Sequence, residues 1–147
     1  MQVPRTTLAA VFLVGVFATQ AVAQSSDRLS ATATRLAGKP VTVESGIPKA
    51  GTRAETWVDE ARIVIRPRIW KTLNAIPRYD YMTTPWAVGT FAHEVGHVVR
   101  GMSENEAACF ANESMYRVAR SLGFGPHKAR VVARLARQDQ IAYCEPS

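Results

Sequence analysis

The stretch that decides the fold is "FAHEVGHVVRGMSENEAACFANE", residues 91–113. It carries His93 and His97, four positions apart, with Glu94 directly after the first. Residues four apart on an α-helix lie on one face, a turn from each other. Read as helix, the stretch sets two neutral imidazoles where both can bind one ion, with Glu94 beside that face. Upstream, Thr84-Pro85 supplies a start, with threonine as cap and proline at the first helical position. Gly101 supplies a stop. The spacing predicts a helix from Pro85 to Arg100, and Ala92 and Gly96 are small enough to admit a close neighbour.

Two imidazoles do not complete a metal centre, and Glu104, Glu106, Cys109 and Glu113 crowd the following turns. Ser103-x-x-Glu106 reads as a capping box, which opens a second helix running to about Leu122 and gives Glu106 a structural task. At 3.6 residues per turn, Glu104 is in phase with Ala108, Ala111, Met115, Val118 and Leu122. Glu106 is in phase with Phe110, Glu113, Arg117 and Arg120, a mostly charged face. Glu104 is thus expected to project toward the core at the first turn, where an acid needs a partner and a metal is the obvious one. Cys109 points away from that stripe and suits a disulfide. The expected donor set is His93, His97 and Glu104 around one Zn2+, with a water in the open position. Zinc lowers that water's pKa toward ~7, and Glu94 is placed to take its proton.

These residues resemble the gluzincin pattern of zinc metallopeptidases: HExxH, a glycine-containing turn, then a glutamate followed three positions on by alanine. In small bacterial members the second helix reads E-x-E-A-D-x-F-A. Here it reads Glu104-Asn-Glu106-Ala107-Ala108-Cys109-Phe110-Ala111, so Glu104 matches the zinc-binding glutamate. The likeness covers about Arg62 to Leu122. It implies an upstream strand whose edge binds substrate in extended form, a place that Arg62 to Arg66 fits. Two departures stand out. Ala108 replaces the family's aspartate, often a support for a ligating histidine, a change that either loosens the site or shifts that support to another residue. Only six residues separate His97 from Glu104, a short connection that Gly101 must turn.

Around this centre, Ser26 or Asp27 can cap a helix to about Ala37, closed by Gly38. Pro40 to Glu44 alternates like a strand, and Thr56 to Val58 with Arg62 to Arg66 form a predicted hairpin across Asp59-Glu60. In its second arm Ile63 and Ile65 face one way and Val64 the other. Pro67 and Arg68 to Leu73 turn out of the sheet, and Pro77 to Thr83 reads as a loop. A last helix runs from Pro126 to about Ala142. The fold class expected is α+β: a minimal zincin-like domain, with a small sheet followed by the HExxH helix and two further helices.

The chain has 147 residues and a net charge of +6, a length that suits one domain, expected over residues 24–147. Arg5, the charge-free run Leu8 to Ala18 and Ala21-Val22-Ala23 read as a secretory signal peptide over residues 1–23, cut after Ala23. The run falls short of the ~20 residues that span a bilayer, so no stable membrane insertion is expected and the mature chain is periplasmic or secreted. Export gives meaning to Cys109 and Cys144, the only two cysteines. Their disulfide would be worth ~2–4 kcal/mol.

The function expected is zinc-dependent hydrolysis of peptide bonds, with a peptide or protein substrate and Glu94 as general base. The alternative is a zinc-binding, catalytically inactive or non-enzymatic, disulfide-stabilised interaction protein. Tyr79, Tyr81, Tyr116, Arg100 and His127 are open candidates for the donor that stabilises the transition state. No nucleic-acid motif is present. Arg117, Arg120, Lys128, Arg130, Arg134 and Arg137 make the C-terminal helices basic, a face suited to contact with anionic surfaces.

Overall fold

The computed structural model describes residues 28–140 and 143–144; the expected signal peptide and the caps at Ser26 and Asp27 lie outside that range. Among the described residues a three-stranded mixed sheet is followed by helices packed on one another, the α+β arrangement expected. The elements are α1 (28–37), β1 (Thr42–Ser45), β2 (Ala54–Trp57), β3 (Arg62–Ile65), α2 (Pro67–Asn74), α3 (Thr83–Arg100), α4 (Glu104–Ser121) and α5 (Pro126–Gln140). No described helix is long and apolar enough to cross a membrane.

The predicted hairpin forms as β2 and β3, antiparallel and joined at a turn in which Ala61 has φ 47°. Its second arm alternates as expected: Ile63 and Ile65 join the main hydrophobic core, while Val64, though also buried, does not. The strand order is β1-β3-β2. β1 pairs in parallel with β3, which makes β3 the central strand. Val64 therefore lies between strands on both sides, opposite Glu44 of β1 and Glu55 of β2.

This order corrects the expectation for Arg62 to Arg66, which is not an edge available to substrate. The two true edges differ. Beside β1, Ser30 and Thr34 of α1 accept the backbone N–H groups of Val43 (2.9 Å) and Val41 (3.0 Å). Side chains one helical turn apart thereby close that edge. The other edge, β2, runs beside α3.

Two boundaries differ from the sequence reading. Pro67 to Asn74 is a helix and not simply a turn out of the sheet: Pro67 sits at its start, and Ile69 and Leu73, four apart, are buried. Thr84 is not the cap of α3. Asp80 Oδ1 accepts the N–H groups of Met82 (3.1 Å) and Thr83 (2.7 Å), and Thr84 Oγ1 accepts the N–H of Asp80 (2.9 Å). The bonds from Thr83, through its N–H and its hydroxyl, and from the Met82 N–H hold the Asp80 carboxyl below its ordinary pKa. Aspartate outcompetes threonine because a carboxylate accepts several N–H groups and complements the positive helix end.

α3 is the central helix. Residues from Thr84 to Val98 are buried round nearly its whole circumference, with Val88, Phe91, Ala92 and Val95 fully inaccessible. It lies between the sheet and the α4–α5 pair. An ideal Cβ on Gly96 would stand 2.6 Å from the Ala107 carbonyl oxygen and 2.9 Å from Ala107 Cα. α3 and α4 therefore touch backbone to backbone, the close approach expected at Gly96.

Candidate metal centre

Packing of α4 against Gly96 brings the start of α4 alongside the histidine face of α3. The connection between them spans only Gly101, Met102 and Ser103. Gly101 takes φ 94°, a conformation that favours glycine, and its N–H closes α3 on the His97 carbonyl at 2.9 Å. Ser103 then opens α4 by accepting the Glu106 N–H at 3.3 Å, the serine half of the expected capping box. The short link that Gly101 was expected to turn is thus a tight reversal.

Three side chains converge there. His93 Nε2 lies 2.9 Å from Glu104 Oε2, and His97 Nε2 lies 3.5 Å from Glu104 Oε1. The donor atoms of His93, His97 and Glu104 all fall within 4.8 Å of one another, close enough to hold a metal ion. Tetrahedral zinc with bonds of about 2.0–2.2 Å needs donors roughly 3.3–3.6 Å apart. The set matches in donor type, and the 3.5 Å His97–Glu104 pair has that spacing. His93 and Glu104, at 2.9 Å, are in direct hydrogen-bond contact and would move apart to admit an ion.

Glu104 departs from expectation in depth. It is on the predicted stripe, but its side chain is 78% exposed and sits at the mouth of the site, beyond the core that the later stripe residues fill. The charged face assigned to Glu106 is also interrupted, since Phe110 is buried. Glu113 does face solvent and pairs with Arg100 at 3.3 Å.

His97 Nδ1 lies 3.0 Å from the Gly101 carbonyl oxygen. A carbonyl only accepts, so Nδ1 carries the proton, and Nε2 of the neutral ring keeps the lone pair that a metal requires. Ligating histidines are commonly oriented in this way by a carbonyl or carboxylate. Ala108, at the place of the family's aspartate, is fully buried and offers no such group. The backbone of the α3–α4 turn supplies a carbonyl for His97.

Glu94 is buried at 7% exposure, and its Oε2 accepts the Thr56 hydroxyl at 2.6 Å. Thr56 itself is on the edge strand β2 and is also nearly buried. Burial pushes the Glu94 carboxyl above its ordinary pKa; the Thr56 hydrogen bond and the adjacent His93 and His97 pull it back, and Glu104 adds to the rise. A buried carboxylate held in one position next to a metal-ligand cluster is suited to proton transfer.

All of these groups open onto one groove of about 920 Å³. One wall is the segment Arg53 to Thr56 of the β2 edge. At one part of the rim the Arg53 guanidinium stacks on Trp86, 4.9 Å from the ring centroid. Met102 and Tyr143 also line the groove.

None of the five donors considered from sequence lines it. Tyr79 packs edge-on against Phe124 with centroids 6.4 Å apart, and Arg100 is engaged with Glu113. Tyr81 and His127 are exposed elsewhere, and Tyr116 lines a separate depression with Arg130, Arg134 and Arg137. Sequence reasoning missed Thr56 and Tyr143. A signal for Tyr143 existed, because it directly precedes Cys144. The expected disulfide is formed: Cys109 and Cys144 are joined with their Cα atoms 4.8 Å apart.

Comparisons with protein-family models, with curated proteins and with solved structures return no match for this chain.

Proposed function

We propose that the chain is an exported zinc-dependent peptidase of the gluzincin type, acting on extended peptide segments. The observation that carries this reading is the His93–His97–Glu104 donor cluster with the buried Glu94 beside it, on a groove walled by an edge strand. Two imidazoles and one carboxylate are the donor set of a catalytic rather than a closed structural zinc site. Zinc held by these three residues would polarise a water and the carbonyl of a substrate amide.

The chain's own residues supply the rest. Among the described residues β2 pairs with a strand on one side only, and an extended peptide can add to its other edge as a further strand. Thr56 fixes the orientation of Glu94, and Glu94 takes a proton from the attacking water and delivers it to the leaving nitrogen. Bond cleavage then consumes one water and leaves a carboxylate and an amine. The disulfide fits an oxidising compartment, in agreement with the signal peptide read from the sequence.

The test is elemental analysis combined with hydrolysis. Purified protein should carry about one equivalent of zinc, and it should release fluorescence from a quenched, labelled casein. Glu94→Gln should keep the zinc and abolish cleavage. Protein without metal, or cleavage undiminished by Glu94→Gln, overturns the proposal.

A further inference from the structure

Tyr143 is a large aromatic residue, 65% exposed, that lines the groove together with Met102, itself 72% exposed. Its neighbour Cys144 is bonded to Cys109, and Cys109 lies on α4, the helix whose first residue is Glu104. α4 is in turn locked to the histidine helix by the backbone contact at Gly96. The C-terminal tyrosine is therefore attached covalently to the same rigid helix pair that presents the metal donors. An exposed side chain gains little from its own burial, and among the described residues the disulfide next to it is a covalent restraint on its position.

We propose that Tyr143 is a substrate-contacting residue of the groove and that the Cys109–Cys144 disulfide is the tether that places it there. Tyr143 and Met102 are exposed, largely apolar side chains lining the same groove as Glu104. Together they are suited to an apolar or aromatic side chain of a peptide lying along β2. A tyrosine ring contributes large contact area at low conformational cost and keeps a hydroxyl for hydrogen bonding to the peptide backbone. The inference deepens the peptidase reading and rests on it.

The experiment uses zinc-loaded Glu94→Gln protein, so that binding is read without turnover. The probes are two pools of short fluorescein-labelled peptides, one rich in Phe and Leu and one with Ser in their place, followed by anisotropy. Tyr143→Ala and Cys109→Ser/Cys144→Ser should each weaken binding of the apolar pool about five- to tenfold, the range of a modest contact hot spot. Combining them should add nothing further, because both remove one contact. Zinc content should be the same in all variants.

Parent-like affinity in Tyr143→Ala, an equal loss for both pools, or additive losses in the combined variant would each overturn the inference while leaving the peptidase reading intact. Absence of peptide binding by the parent would overturn both. Should the cysteine variant fail to fold, the folded parent is reduced with a water-soluble phosphine. The phosphine takes oxygen from water as its oxide, and the two sulfurs gain the two hydrogens as thiols. Binding unchanged after that reduction likewise overturns the tether.

Discussion

The hydroxyl of Thr56 donates to Glu94 Oε2 across 2.6 Å, joining the edge strand of the sheet to the acid of the histidine helix. Both residues are nearly buried at the floor of the groove, so water is a poor substitute at either end of the bond. Removing one partner of a buried hydrogen bond to a carboxyl costs about 1–3 kcal/mol. Thr56→Val keeps the shape and loses only the hydroxyl. It should lower unfolding free energy in urea by that amount and reduce kcat with little change in zinc content. In the Glu94→Gln background the cost of Thr56→Val should shrink. An equal cost in both backgrounds would show that the two side chains are not coupled.

Glu104 and Glu106 lie two residues apart in the first turn of α4, yet only Glu104 reaches the histidines. Glu104→Ala should weaken zinc binding by more than the 10–100-fold that follows loss of a ligand's supporting partner. Its exposed side chain contributes little to packing, so the metal-free protein should unfold within about 0.5 kcal/mol of the parent. Glu106→Ala should leave zinc affinity unchanged, because the Ser103 cap bonds to the backbone of residue 106 and survives the substitution. Competition with a chromophoric zinc chelator distinguishes the two. Equal zinc retention would refute the assignment of Glu104.

What the sequence made legible was local. The four-residue spacing of His93 and His97, the Ser103 cap, the Gly101 stop and the phase of Glu104 each depend on a few neighbouring residues, and each appears in the fold. Helical phase gives a direction but not a depth. It aimed Glu104 correctly and could not show that the neighbouring elements end before reaching it. Alternation in Arg62 to Arg66 likewise marks a strand without naming its neighbours, so β1 pairing in parallel on the far side of β3 was unreadable. With that pairing hidden, β2 could not be recognised as the edge, nor Thr56 as the partner of Glu94. Tyr143 was out of reach for the same reason: its place follows from a contact 35 residues away in sequence, between Cys109 and Cys144.

Gly96 decides how near α4 can approach, and two effects of opposite sign meet there. Alanine is favoured over glycine inside a helix by about 1 kcal/mol, so on propensity alone Gly96→Ala would stabilise the protein. Against this, the new methyl would stand 2.6 Å from the Ala107 carbonyl oxygen, with backbone rather than a flexible side chain on the other side. Overpacking of that kind costs about 1–3 kcal/mol, and the backbone of α4 can relieve it only by moving away. The packing term should win. Gly96→Ala is expected to lower the melting temperature and, by drawing Glu104 back from His93 and His97, to weaken zinc binding at the same time. Arg120→Ala, near the other end of α4, serves as the control for general loss of stability, and it should leave zinc affinity unchanged. A Gly96→Ala protein that melts higher than the parent and binds zinc as tightly would mean that helix packing does not set the geometry of the donor cluster.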